Sequence, residues 1–167
     1  MNWLSGLSFF ASLILSCLMS WRDIQSREVI DRELALLAAI NVLPRSLAGP
    51  LPPAFWPSSP LWLGQVFDLA LGSAGALLLL LLALTCRLVS REQSLGMGDV
   101  LFSLAMGFSL TWKASLIMVC LAFLLALPLA LFMALFRPRG SHLPFIPFLA
   151  LAAFLVRWPG LLKSLLL

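Results

Sequence analysis

Residues 114–136 run for twenty-three positions without a single charged side chain. As a helix rising 1.5 Å per residue, the run would extend about 34 Å, enough to cross the ~30 Å hydrocarbon core of a bilayer. The rest of the chain agrees with a membrane environment. Charged residues make up only 11% of it and mean hydropathy is +1.05, whereas a soluble domain carries about 25% charged residues. The expected fold class is therefore all-α: a polytopic membrane protein in which residues 1–167 form one transmembrane domain. A net charge of +4 does not point to nucleic acid, because the basic residues are spaced between apolar runs, where they act as topology determinants. Cys17, Cys86 and Cys120 lie in apolar stretches with no Cys-x-x-Cys spacing. That argues against structural zinc or a disulfide framework, and no metal or cofactor is expected.

Six apolar runs can be assigned as spans. The first covers about residues 3–21, with Trp3 and Trp21 at its ends, where aromatic side chains favour the membrane interface. No Lys or Arg precedes residues 4–20, so they read as a transmembrane helix and not as a secretory leader. A shorter run over residues 34–43 recruits Val29 and Ile30, and Pro44 is expected to end it. Residues 44–60, rich in Pro and Trp, read as an ordered or interfacial loop. The third run, 61–86, contains Asp68, with Gly64, Gly72 and Gly75 near one helical face, a pattern that allows close helix packing in a membrane. Asp68 accordingly reads as a packed polar residue facing the bundle. The fourth run, 100–112, is too short to span unless the helix extends back through Asp99. The fifth is the 114–136 run, with Pro128 as the expected kink, and the sixth covers about residues 144–156, followed by a tail holding Arg157 and Lys163.

Six spans alternate sides, so the basic residues divide into two sets. Seven of them (Arg22, Arg27, Arg32, Arg87, Arg91, Arg137 and Arg139) fall on one side, against Arg45, Lys113, Arg157 and Lys163 on the other. The positive-inside rule assigns the first side to the cytoplasm and the N-terminus to the outside. Asp23, which closes the first run, and Asp99, which opens the fourth, then share the cytoplasmic face.

A carboxylate at this depth costs roughly 2.5–3.5 kcal/mol at mid-membrane and less towards the interface, and so is by default a functional-site hypothesis. Two carboxylates brought together cannot both ionise easily and come to share a proton. One can then take a proton from an attacking water while its protonated partner polarises the amide carbonyl and later protonates the leaving nitrogen. Gly96 and Gly98, either side of Met97, read as a tight turn into the helix through φ > 0, or as room for a substrate backbone beside the acid. His142 reads as a solvated loop residue. Glu28, Asp31, Glu33 and Glu92 could attract a basic peptide, but balancing the neighbouring arginines is the simpler reading.

Asp23-Ile24-Gln25-Ser26-Arg27-Glu28-Val29 and Gly96-Met97-Gly98-Asp99-Val100 together resemble the two active-site motifs of the type IV prepilin peptidase family. Leu143-Pro144-Phe145-Ile146-Pro147-Phe148-Leu149-Ala150 resembles the Pro-rich start of that family's last helices. The resemblance implies an aspartic endopeptidase of the bacterial inner membrane that removes basic leaders from prepilins and pseudopilins on the cytoplasmic side. Asp23 and Asp99 would be its catalytic pair, with Gly96 and Gly98 shaping the active-site loop. Its partners would be the substrate helix and membrane lipid, with no nucleic acid; the sequence sets no oligomeric state. The chain departs from the family pattern at Ile30-Asp31, where Pro-Asn is common, at Leu101 in place of Lys and at Ile146 in place of Gly. It also has no room for the Cys-rich insert linked to N-methylation in long members, so the resemblance is to a short, peptidase-only form. The competing expectations are a presenilin-type protease, disfavoured by the absence of Tyr, and a catalytically silent membrane protein, either a degenerate family member acting as an assembly subunit or a small transporter using Asp68.

Overall fold

A computed structural model describes residues 3–26, 30–47, 61–90, 96–136 and 144–158. Among these residues run seven helices: α1 (Trp3–Gln25), α2 (Asp31–Leu47), α3 (Leu61–Gly72), α4 (Ala74–Ser90), α5 (Met97–Gly107), α6 (Trp112–Phe136) and α7 (Ile146–Arg157), with no strand. The all-helical expectation is met. The six-span expectation is met only in part: α1 and α6 are each long and apolar enough to cross a membrane, and α3 with α4 would count as a third span if the bent pair is one. At 11 and 12 residues, α5 and α7 are shorter apolar helices.

Several boundaries differ from those expected, for physical reasons. The third run is not one helix: it breaks at Ser73 and bends by 43°. Ser73 Oγ donates to Ala70 O at 2.6 Å, so the hydroxyl competes for a backbone acceptor at the break. The second run is not ended by Pro44, and α2 continues to Leu47. A proline removes one backbone donor from the ladder, and here the helix absorbs that loss. The fourth run closes at Gly107 and not at Trp112, which instead opens α6. α6 passes through Pro128 as one helix. The interfacial loop expected beyond Leu47 lies, over residues 48–60, outside the described residues, as do Glu28, Glu92 and His142.

α5 organises the packing. Seven of its eleven residues are buried, from Asp99 to Gly107. α2, α4, α6 and α7 pack around it, and α1 bridges α2 and α7, so that α1, α2, α5 and α7 form a closed ring. Each outer helix turns a stripe inward at three- and four-residue spacing. On α1 the stripe is Ser12, Ser16, Met19 and Asp23; on α2 it is Leu34, Leu37 and Asn41; on α7 it is Ile146, Leu149, Ala152, Ala153 and Val156. Leu7, Phe10, Ile14 and Leu18 of α1 face outward, where lipid would cover them.

The expectation of close packing by small residues holds at two glycines. A Cβ on Gly72 would run into the backbone oxygen of Gly107, and one on Gly107 into that of Gly72. Gly75 packs equally tightly on Ser115, its N–H donating to Ser115 Oγ at 3.1 Å. The break at Ser73 therefore sits where the chain passes closest to the end of α5.

Candidate active site

Asp23 ends the inward stripe of α1, four residues after Met19, and is only 8% exposed. The register that buries Ser12, Ser16 and Met19 carries this carboxylate inward as well. Next to it, Arg22 turns outward and forms an ion pair with Glu33 at 2.6 Å, clasping the end of α1 to the first turn of α2. Glu33 thus balances an arginine, as the simpler reading had it. An exposed pair of this kind contributes no more than about 1 kcal/mol.

Asp99 occupies the first turn of α5 and is 9% exposed. Gly96 caps that helix: its N–H donates to Asp99 Oδ2 at 3.2 Å, and the Asp99 N–H donates to Gly96 O at 3.1 Å. The positive end of the helix dipole and this amide both face the carboxylate. The two acids, distant in sequence, are both buried inside the ring of helices. The helices that carry them are joined through α2 and α7, each of which packs on both α1 and α5.

At Gly96 the left-handed turn, one of the two expectations for these glycines, needs correcting. Gly96 has φ −75° and ψ 145°, an extended conformation open to any residue, so the turn does not demand a left-handed glycine. Its missing Cβ would meet nothing closer than Asp99 Oδ2, at an ordinary 3.5 Å. Gly98 lies inside the first turn of α5. Gly96→Ala should therefore leave stability within about 0.5 kcal/mol of the parent, as measured by thermal unfolding in detergent. A fall in activity without a fall in stability would assign the glycine to substrate access.

Asp68 lies elsewhere. It sits one turn before Gly72 on α3, and Gly72 touches the end of α5 opposite Asp99. It is half-buried among helices, in keeping with a packed polar residue.

Hydropathy reading missed a polar node deep in the ring. Arg157, placed by sequence in the tail, ends α7 and turns back among the helices. Its Nη1 donates to Ser12 Oγ at 2.9 Å and to Asn41 Oδ1 at 3.0 Å, and the guanidinium lies over the Phe9 ring at 5.1 Å. Asn41 Nδ2 in turn donates to Ala105 O at 3.2 Å. One cluster thus ties α1, α2, α5 and α7 together. Asn41 and the serines at four-residue spacing, being polar residues inside apolar helices, were the available signal. Beside this node a groove of about 420 Å³ runs between α1 and α7.

The fold and the site define a class: a helical membrane protein with two buried carboxylates, one near the end of α1 and one in the first turn of α5. A model of the type IV leader peptidase family matches residues 9–131, most of the chain and both acids, and the chain belongs to that family. It is a membrane protease of the leader-peptidase kind. The match ends within α6, so α7 and Arg157 lie outside it. No curated protein and no solved structure matches the chain.

Proposed function

We propose that the chain is an aspartic endopeptidase that cleaves the basic leader of prepilin- or pseudopilin-like substrates at the cytoplasmic face of the bacterial inner membrane, with Asp23 and Asp99 as the catalytic pair. The observation that carries this reading is the burial of two carboxylates on α1 and α5, helices that α2 and α7 both pack against. Buried like charges favour a state with one shared proton. In that state the ionised carboxylate takes a proton from water as it attacks the scissile carbonyl. The protonated partner gives its proton to the carbonyl oxygen; on collapse the first carboxyl passes the proton it took from water to the leaving nitrogen, the partner takes one back from the gem-diol hydroxyl, and the pair returns to its starting state. The Gly96 amide holds Oδ2 of Asp99, leaving Oδ1 as the oxygen to face water. Gly96, exposed at the start of α5, would give an extended leader room to approach.

In the proposed topology the N-terminus lies outside. The end of α1, the start of α2 and the start of α5 then meet the cytoplasm, where the arginines are concentrated. The leader would remain in water while the apolar helix of the substrate lies in the membrane. Co-expression with candidate prepilins, followed by mass measurement of the product, tests the reading. A new N-terminus after the leader, with no added methyl group, is the expected result. Intact prepilin alongside a well-inserted enzyme would overturn it, and an added methyl would overturn the peptidase-only form.

A further inference from the structure

The groove between α1 and α7 joins two features of different character. At one end are Trp21 and Ile24, which flank Asp23 in sequence; at the other is Arg157. Ser16, Cys17 and Leu151 line it in between, and Cys17 and Leu151 are exposed at its rim. It is thus a mainly apolar trough, open to lipid, that runs from the end of α1 to a cation.

Arg157 has capacity to spare. Nη1 is engaged by Ser12 and Asn41, and among the described residues no carboxylate meets the guanidinium. A charge held at this depth by the neutral partners found among the described residues is costly, and a carboxylate supplied from outside would relieve that cost through charge-assisted hydrogen bonds to Nη2 and Nε. The depth also decides the source. Ser12 lies nine residues from Trp3 and thirteen from Gln25, roughly 14 Å and 20 Å from the two ends of α1. A phospholipid phosphate, which belongs at the interface, would not reach this level. An acid carried on a helix lying in the groove would.

We infer that the α1–α7 groove docks the apolar helix of the substrate and that Arg157 binds a carboxylate on that helix. This rests on the peptidase reading, since the occupant is the same chain whose leader is cut. The spacing follows from the helices. Asp99 lies six residues before Ala105 on α5, and Asp23 eleven residues after Ser12 on α1, which is roughly 9 Å and 16 Å along the two axes. A helical substrate rising 1.5 Å per residue would therefore present its acid about six to eleven residues beyond the scissile bond. Arg157 is then a specificity-determining residue for the cleavage.

The test is a binding measurement on the full chain in nanodiscs made of neutral phospholipid. The probes are fluorescent apolar helical peptides, each with a basic leader and a single Glu or Gln scanned through that window. At one position or two adjacent positions, the Glu peptide should bind at least tenfold more tightly than its Gln twin. Arg157→Gln should erase the difference and leave the Gln peptide unaffected. Leu151→Trp, which fills the groove from its lipid-facing rim without touching Arg157's partners, should weaken both peptides severalfold. Equal binding of every Glu and Gln pair to the parent chain would overturn the inference, as would a preference that persists in Arg157→Gln or full binding to Leu151→Trp. Displacement of the Glu peptide's advantage by a free fatty acid alone, with no effect of Leu151→Trp, would assign the cation to lipid and also overturn it. Cleavage of the Gln peptides is scored separately: if they are cut as fast as the Glu peptides and bind as tightly, the docking inference fails while the peptidase reading stands.

Discussion

Asn in place of Asp23 or of Asp99 is expected to lower the processing of a co-expressed prepilin by roughly 10²–10⁴-fold, the usual contribution of a positioned general acid or base. Both substitutions preserve shape. At position 99 the side-chain oxygen can still accept the Gly96 amide, and at position 23 the stripe that buries the residue is unchanged. What is lost is the ability to exchange a proton. Insertion and abundance should therefore match the parent, with the mass of the mature N-terminus as the readout. If either variant processed substrate at the parent rate, the pair would be wrongly assigned. Loss of function in Asp68→Asn together with indifference to Asp99→Asn would move the assignment to a transport protein.

The second large effect concerns the fold. Gly107→Ala should destabilise the bundle by about 1–3 kcal/mol, and Gly107→Leu by more, because the atom in the way is the backbone oxygen of Gly72 and not the tip of a mobile side chain. Gly72→Ala meets the same contact from the other side. The two changes should be strongly non-additive, since either one alone forces the ends of α3 and α5 apart. Gly6→Ala provides the contrast, because nothing lies within 4 Å of the added carbon, and the unfolding temperature in detergent should not fall. A Gly107→Ala variant as stable as the parent would mean that the α3–α4 bend is free to move.

Much of this architecture is legible in local pattern. The spacing of Ser12, Ser16, Met19 and Asp23 already places the acid on the inward face of α1; α5 does begin before Asp99, although at eleven residues it falls short of the span from which that start was argued. What local pattern does not carry is what happens when distant helices meet. The break at Ser73 and the early stop at Gly107 belong to one contact between two backbones thirty-five residues apart, and hydropathy is the same whether or not they touch. Arg157 is the clearest case. Next to Trp158 at the end of an apolar run, it has the appearance of an interfacial anchor. Its partners are 116 and 145 residues away, and no window along the chain includes them. Pro44 fails in the opposite direction: a strong local breaker is overridden by the helix in which it sits.

α5 is pinned at one end by Gly72 and carries its carboxylate at the other, eight residues away. The helix therefore works as a ruler. Its length sets how far the acid stands from the pin, and its winding sets the direction in which the acid points. Substitutions along its few exposed positions, such as Met97 and Leu101, change neither quantity. A single inserted or deleted residue changes both, by about 1.5 Å and 100°, and would swing the carboxylate out of the ring while leaving every helix intact. At its exposed positions α5 should accept changes of identity, whereas between residues 99 and 107 it should reject changes of length, so that the count of residues in this stretch sets where the acid stands.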